Sequence, residues 1–542
     1  MIVAAGQPPG GERKDVTEPD VTIEREIAEV VRGSYARVTG QPTRRRIGAR
    51  ELFSEVLDPD SFRSWDTVLV TVPAGSEYLD QLSEARQASG EDEAVITGEG
   101  KIVGRRVCLV ACEFAFLGGT IGVAAAERLT LAIERATAER LPLVASPVSG
   151  GTRMQEGTVA FLQMVKIVQA LMQHRRAGLP YLVYLRHPTT GGVFASWGSL
   201  GQLTGAQPGA LIGFLGPRVY EALYGASFPE GVQVAENLYR LGLVDAVLAP
   251  AALAEIAARA LDVMCTVPSE VPAAEAPPDE LIEDVPAWES IEHTRRPKRP
   301  GVEELLRAAS HAVTILSGTQ EGERSGGLIL AMAKFGAAPC VVVGQDRLFP
   351  REGRPLGPDS LREARRGMSL AAEIGLPLLT IIDTPGAALS KEAEEGGLAG
   401  EIARCLADMV ALPVPTVCLL LGEGAGGGAL ALLPADRVVA AQHGWVAPLP
   451  PEGASEILYR TVDRAPELAT AQGVRSIDLA AAGIVDRIVP ERPDAADEPR
   501  EFLSRLSKAL EYELTSLIHR EKAERLGARY RRYRSLGLHP EP

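Results

Sequence analysis

Two stretches of this chain repeat each other at a fixed distance, and that repeat limits the possible folds more than any other feature. LPLVASPVSGGTRMQEG begins at Leu141 and LPLLTIIDTPGAALSKEAEEGG begins at Leu376 (376 − 141 = 235). LPYLVYLRHPTTGGVFAS sets Pro180 where VPTVCLLLGEGAGGGALA sets Pro415, at the same offset (415 − 180 = 235). A third echo, GLVDAVL around Asp245 and GIVDRIV around Asp486, is offset by 241 (486 − 245 = 241). Each of the first two runs from a buried strand into a glycine-rich turn, where backbone N–H groups can face a ligand. The duplication predicts two domains of one fold, each carrying an equivalent ligand turn. Length alone would allow roughly three or four domains.

Within each unit, short apolar runs (PLVAS, YLVYL, ALIGF; then PLLTII, TVCLLL, RVVAA) alternate with helical stretches such as TVAFLQMVKIVQALMQHRRA and LAGEIARCLADMVAL. Continuous Val/Leu/Ile strands between helices indicate parallel sheet buried on both faces, so each unit is read as α/β. The expected organisation is a polar extension over 1–45, a first domain over 46–266, a linker rich in Pro and acid over 267–300, a second domain over 301–496 and a helical tail over 497–542. The first twenty residues read as disordered, and VTIEREIAEVVRGSYARV as one short helix. The charged tail reads as a solvated or subunit-packing helix.

A net charge of −15 disfavours a general nucleic-acid-binding role, so any polyanionic ligand must be met by local basic groups. Six scattered cysteines, of which Cys108 and Cys112 form CxxxC without a second pair, point to buried free thiols and not to zinc. The N-terminus lacks a signal-peptide layout, and no run approaches the roughly 18 apolar residues of a spanning helix. The expectation is a cytoplasmic protein that binds neither membrane nor nucleic acid and holds no metal.

The chemistry-bearing motifs are turns. Ser149-Gly150-Gly151-Thr152-Arg153 follows a strand and precedes a long helix, a setting suited to the negative oxygen of an enolate or tetrahedral species. A tight strand–helix turn is the alternative. Gly424-Ala425-Gly426-Gly427-Gly428-Ala429 is the stronger run in the second unit, and Thr189-Thr190-Gly191-Gly192 is its counterpart. Neither is a Walker loop, because no GK[ST] follows. Gly118-Gly119 gives a further backbone approach in the first unit. Acid–base side chains are sparse. His187 reads as structural, Asp383 fits a turn, Glu394 and Glu395 fit a solvated helix face, and Glu423 is a further candidate.

At these strings the chain resembles the carboxyltransferase component of biotin-dependent acyl-CoA carboxylases, with its two halves fused. FAFLGGTIGVAAAER, SGGTRMQEG, HPTTGGVFAS and LIGFLGPRVYEAL resemble the beta subunit of bacterial acetyl-CoA carboxylase carboxyltransferase. AWESIEHTRRPKRP, IIDTPGA, AEEGGLAGEIARCLADM, GEGAGGGALAL and PPEGASEIL resemble the alpha subunit. The resemblance implies a tandem of crotonase-like (ClpP/crotonase) β-β-α superhelix domains, with active sites shared between copies of a homo-oligomer. It implies transfer of a carboxyl group from carboxybiotin to acetyl-CoA or a related acyl-CoA, giving malonyl-CoA for fatty acid biosynthesis. The thioester oxyanion donors fall on Gly150 and Gly151, and the biotin-side donors on Gly428 and Ala429. Gly118, Gly119, Arg128 and Arg153, with Arg105 and Arg106, stand as acyl-CoA contacts; Gly386, Gly426 and Gly427 line the biotin side.

With no ATP-binding loop, carboxybiotin is expected on a separate biotin carboxylase/biotin carboxyl carrier protein chain. AMAKFG at Ala331 lacks the Met-Lys-Met core of a biotinylation site and is read as strand. The beta subunit's zinc ribbon is missing, and the second unit departs from the alpha pattern after Asp383-Thr384-Pro385-Gly386-Ala387. Two other readings therefore stand beside the main one: an acyl-CoA decarboxylase, and a weakly active structural subunit.

Overall fold

The computed structural model describes residues 45–67, 75–278 and 280–537, and within these the repeat becomes two sheets of one topology. The first runs Arg63–Ser64, Val95–Ile102, Arg105–Cys112, Leu143–Ser146, Tyr181–Leu185, Leu203–Ala206, Ala246–Val247 in spatial order. The second runs Thr314–Leu316, Ile329–Phe335, Ala338–Gly344, Leu378–Thr384, Thr416–Ala425, Arg437–Ala441, Arg487–Val489, with Trp445–Ala447 paired beside Thr416–Ala425. In each, an antiparallel start gives way to parallel strands separated by helices. Corresponding strands begin 235 residues apart, at Leu143 and Leu378 (378 − 143 = 235) and at Tyr181 and Thr416 (416 − 181 = 235). The α/β expectation holds in both units.

Local chemistry explains the elements. Leu143–Ser146, Tyr181–Leu185 and Thr416–Ala425 are buried at every position, the consequence of helices covering both faces of parallel strands. Helix Pro358–Ile374 starts on a proline and ends at Gly375, whose φ of 79° supplies the left-handed cap. The third echo also has a physical meaning: Asp245 accepts the Thr204 N–H at 2.8 Å, and Asp486 accepts the Val438 N–H at 2.7 Å. Each aspartate ties the last parallel strand to its neighbour.

The units share a core. Helix Pro250–Met264 buries Leu253, Ile256, Leu261 and Met264 against Leu330, Met332, Val341 and Val343 of the second sheet. Asp245 also accepts the Ser317 N–H and pairs with Arg366, while Arg175 and Gln202 hold Glu373. Close by, the buried Glu363 accepts N–H groups from Gly318 (2.9 Å) and Ser325 (3.1 Å), and burial pushes its carboxyl up to about 7. Because the folded value lies above the unfolded one, the stability it contributes is full below about pH 4.5 and is lost as pH rises through about 7. Chemical denaturation at about pH 5 and about pH 7.5 will show the wild type losing about 2 kcal/mol more than Glu363→Gln across that interval.

Two expectations on boundaries change. Residues 267–300 are not linker throughout: helix Ala287–Thr294 buries Ala287 and Ile291 against Trp445 and Ala469, and Arg299 forms a fully buried pair with Glu491. Nor is the 497–542 tail a solvated appendage. Helix Pro499–Ile518 packs Phe502, Leu506, Leu510 and Leu514 on the second sheet, and Arg529 of helix Lys522–Arg534 grips Asp436 and the Leu412 carbonyl. In the first of these helices the apolar residues are interleaved with charge, and in the second the buried residues are Arg525 and Arg529, which hid both faces. The N-terminal helix expected before residue 45 lies outside the described residues.

Smaller expectations hold. All six cysteines are free thiols, buried except Cys265, which is half-buried. AMAKFG lies in strand Ile329–Phe335, where Lys334 pairs with Asp262 at 2.8 Å.

Candidate active site

In the second unit three strand ends converge. Ala338–Gly344 delivers Gln345, Leu378–Thr384 delivers the Pro385-Gly386-Ala387 turn, and Thr416–Ala425 runs directly into the short helix Gly426–Leu430. Ligands of open α/β sheets collect at such carboxyl ends. A Cβ on Gly428 would lie 2.7 Å from Leu356 Cδ2 and 3.3 Å from the Ala387 nitrogen, so the absent side chain lets the two turns close on each other. Gly427 likewise makes room for Ile402, and Gly426 turns the chain at φ 66°. Gly386, at φ 135°, gives its N–H to Thr384 Oγ1 at 3.2 Å. Gly428 and Ala429 lie in the first turn of that helix, whose N-cap is Ala425. Both are buried donors at the positive end of aligned peptide dipoles.

The first unit gathers Gly118-Gly119, Gly150-Gly151 and Thr190-Gly191-Gly192. Gly119 sits with its Cα hydrogen so near the Val148 carbonyl that a Cβ would reach 2.1 Å from that oxygen, at φ 64°. The Gly191 Cβ position is 3.1 Å from Gly151 Cα. Here the donors are engaged. The Gly150 N–H bonds the Gly118 carbonyl at 2.9 Å, and the Gly151 N–H bonds Ser149 Oγ at 2.9 Å. The pair expected to hold a thioester oxyanion thus already has acceptors, one of them a rotatable hydroxyl. The two glycine turns share a place in the fold.

Of the arginines expected at CoA phosphates, Arg128 and Arg153 are turned inward to carboxylates. Arg153 is 1% exposed and bonds Glu93 and the Thr120 carbonyl, with Glu156 at 3.5 Å. Arg128 is 4% exposed and holds Asp92, Asp66 and the Val95 carbonyl. A guanidinium taken out of water needs a carboxylate partner, and these two have theirs. Arg106 pairs with Glu99 and Glu139, and Arg105 lies 3.8 Å from Asp262.

Side-chain bases fare no better. Asp383 is fully buried against Arg347 and accepts the Glu423 N–H at 3.0 Å, and burial raises its carboxyl above the ordinary range. Glu423 is paired with Arg295 at 2.7 Å, while Glu394 and Glu395 are exposed. His187 Nδ1 accepts the Leu211 N–H at 3.0 Å, a structural bond. Sequence reasoning missed Gln345, whose Nε2 donates to the Gly428 carbonyl at 2.7 Å, and its neighbour Asp346, pushed up to about 6 chiefly by burial. Their one signal was polarity directly after an all-apolar strand.

Comparison with known proteins agrees over most of the chain. The family model described as "Carboxyl transferase domain" matches residues 56–526. A Mycobacterium tuberculosis protein named "Probable biotin-dependent acyl-coenzyme A carboxylase beta3 subunit" is 60% identical over 493 residues, covering 91% of this chain and 99% of the relative. The Salinispora tropica "Acetyl-coenzyme A carboxylase carboxyl transferase subunits beta/alpha" is 35% identical over 514 residues, covering 91% of each chain. Among solved structures, transcarboxylase 12S with methylmalonyl-coenzyme A and methylmalonic acid bound superposes with a TM-score of 0.66 at 21% identity, covering 90% of this chain and 95% of that one. A single-chain, multi-domain long-chain acyl-CoA carboxylase gives 0.65 at 19% identity, covering 91% and 49%. These likenesses bear out the crotonase-like tandem α/β fold.

Proposed function

The chain belongs to the carboxyl transferase domain family, and on that premise we propose that it is the carboxyltransferase of a biotin-dependent acyl-CoA carboxylase, working on acetyl-CoA or a close homologue. The observation that carries the reading is the pair of buried amides at Gly428 and Ala429, set in the first turn of a helix at the carboxyl end of a parallel strand. Such donors suit a developing oxyanion and nothing cationic. In this reading they take the ureido oxygen of biotin, with Gly386, Gly426 and Gly427 shaping the approach. The first unit takes the acyl-CoA thioester at Gly150 and Gly151 once the Gly118 carbonyl and Ser149 hydroxyl give way, with Gly118 and Gly119 alongside.

Carboxybiotin, carried on a separate biotin carboxylase/carrier chain, is the substrate that supplies the carboxyl group. Its N–CO₂ bond breaks, a C–C bond forms at the α-carbon of the acyl-CoA, and the departing ureido nitrogen receives the α-proton. The residues of this chain hold the two oxyanions and keep the reacting atoms together. No protein base is needed in this scheme, in keeping with Asp383 and Glu423 being paired to arginines and Glu394 and Glu395 being exposed. Acetyl-CoA is favoured by the 35%-identical relatives named for it, whereas the 60%-identical relative is named only for acyl-coenzyme A.

A homo-oligomer with shared sites is part of the proposal. Val159, Phe161, Leu162 and Val165 stand exposed on helix Gly157–Arg176 beside the first turn, and Ile457, Leu458 and Val462 stand exposed in the second unit. Apolar surface of this extent on both units supports burial against another copy. The deciding experiment combines the chain with a biotin carboxylase/carrier chain, ATP and bicarbonate, and measures carboxylation of acetyl-, propionyl- and longer acyl-CoA. Acetyl-CoA is expected to give the highest kcat/KM. Preference for a longer chain would overturn the acetyl assignment, and no carboxylation of any acyl-CoA would favour the structural-subunit reading.

A further inference from the structure

Gly428 C=O and Ala429 N–H belong to one planar peptide unit and point in opposite directions. Whatever holds the oxygen therefore aims the hydrogen. The helix does not hold it: Ala431 N–H bonds the Gly427 carbonyl at 3.0 Å, but Leu432 N–H, next in the ladder, goes to Ala429 O at 3.2 Å. The missing rung is supplied from another strand by Gln345 Nε2, at 2.7 Å. Gln345 is 1% exposed, and its own N–H is fixed to the Ile381 carbonyl at 2.9 Å, so the side chain starts from an immobile base.

We propose that Gln345 is a positioning residue for carboxyl transfer, holding and polarising the Gly428–Ala429 peptide so that the Ala429 N–H meets the biotin oxyanion. The inference rests on the reading of that amide as an oxyanion donor. Two features carry it beyond simple satisfaction of a buried carbonyl. Hydrogen bonds at both ends of one peptide strengthen each other, by roughly 10–30% per bond. Moreover, Gln345 Oε1 is buried with no donor of its own among the described residues. Turning the amide over would bring Oε1 against the Gly428 oxygen, acceptor against acceptor, so Nε2 is the end that the site uses.

The test is the pH profile of kcat, read on biotin-dependent decarboxylation of malonyl-CoA, for Gln345→Leu and Gln345→Glu. Gln345→Leu is expected to lower kcat about tenfold at every pH, with acyl-CoA KM unchanged. Gln345→Glu donates to Gly428 only while protonated, so its kcat should approach wild type at low pH and fall as pH rises, a limb the wild type lacks. Asp346, Arg347, Asp383 and Glu423 carry or share charge around this position in every variant, so the profile is read as variant against wild type. Melting temperatures establish that each variant is folded. A Gln345→Glu profile parallel to wild type, or wild-type kcat in Gln345→Leu, overturns the inference. If Ala429→Pro loses activity while the Gln345 variants do not, the positioning role alone fails; if Ala429→Pro also keeps its activity, the donor reading fails with it.

Discussion

Ala429→Pro will lower kcat by about 10²–10³ while leaving acyl-CoA KM close to wild type. Proline deletes one N–H and nothing else that binds. Ala429→Gly, which keeps the N–H, should fall far less. The split between kcat and KM follows from the role: a donor that meets charge developing on the biotin side is felt in the transition state and not in acyl-CoA affinity. Should proline at the fourth helical position distort the turn, Gly428→Pro with Leu356→Ala deletes the neighbouring N–H and clears the atom that a Cβ at 428 would strike. Stopped assays over a range of acyl-CoA concentrations, with a melting curve for each variant, decide the matter.

Arg153→Met will destabilise the chain by about 3–5 kcal/mol, because it leaves Glu93 and Glu156 buried without their cation. Both carboxylates are almost wholly enclosed, and the Thr120 carbonyl loses its donor as well. Adding Glu93→Gln to Arg153→Met should recover a large part of the loss, since a neutral amide needs no counter-charge. The same pair separates structure from substrate binding. If Arg153 met the phosphates of CoA, the double variant would still show a raised KM for acyl-CoA. The buried pairing predicts that its KM returns to the wild-type range with its melting temperature.

The legible part of this protein was its periodicity. Strands Leu143–Ser146 and Leu378–Thr384, and the glycine turns after them, could be placed because a fully apolar run followed by glycines has few other uses. The run over 424–429 was reachable the same way, and it was the resemblance to the carboxyltransferases that singled out Gly428 and Ala429 within it. Arg128 and Arg153 were misplaced because charge is visible in a sequence but its partner is not: Glu93 lies 60 residues before Arg153 and is joined to it only by the fold. Helix Ala287–Thr294 was read as linker for a related reason. Its two apolar anchors stand among charges and prolines, and what buries them, Trp445 and Ala469, comes from far along the chain. Gln345 left only the mark of polarity after an apolar strand, and one amide there becomes meaningful only when the Gly428 carbonyl is seen opposite it. Engagement of the Gly150 and Gly151 amides was invisible, because sequence shows where a donor is and not whether it is spent.

The central claim is that this chain moves a carboxyl group between biotin and an acyl-CoA by means of backbone amides. It is tested most directly by incubating the purified chain with malonyl-CoA, with and without free biotin, and following acetyl-CoA release. Release that requires biotin and is lost in Ala429→Pro is the predicted result. Biotin-independent release, or none with malonyl-, methylmalonyl- or longer carboxyacyl-CoA, would contradict it.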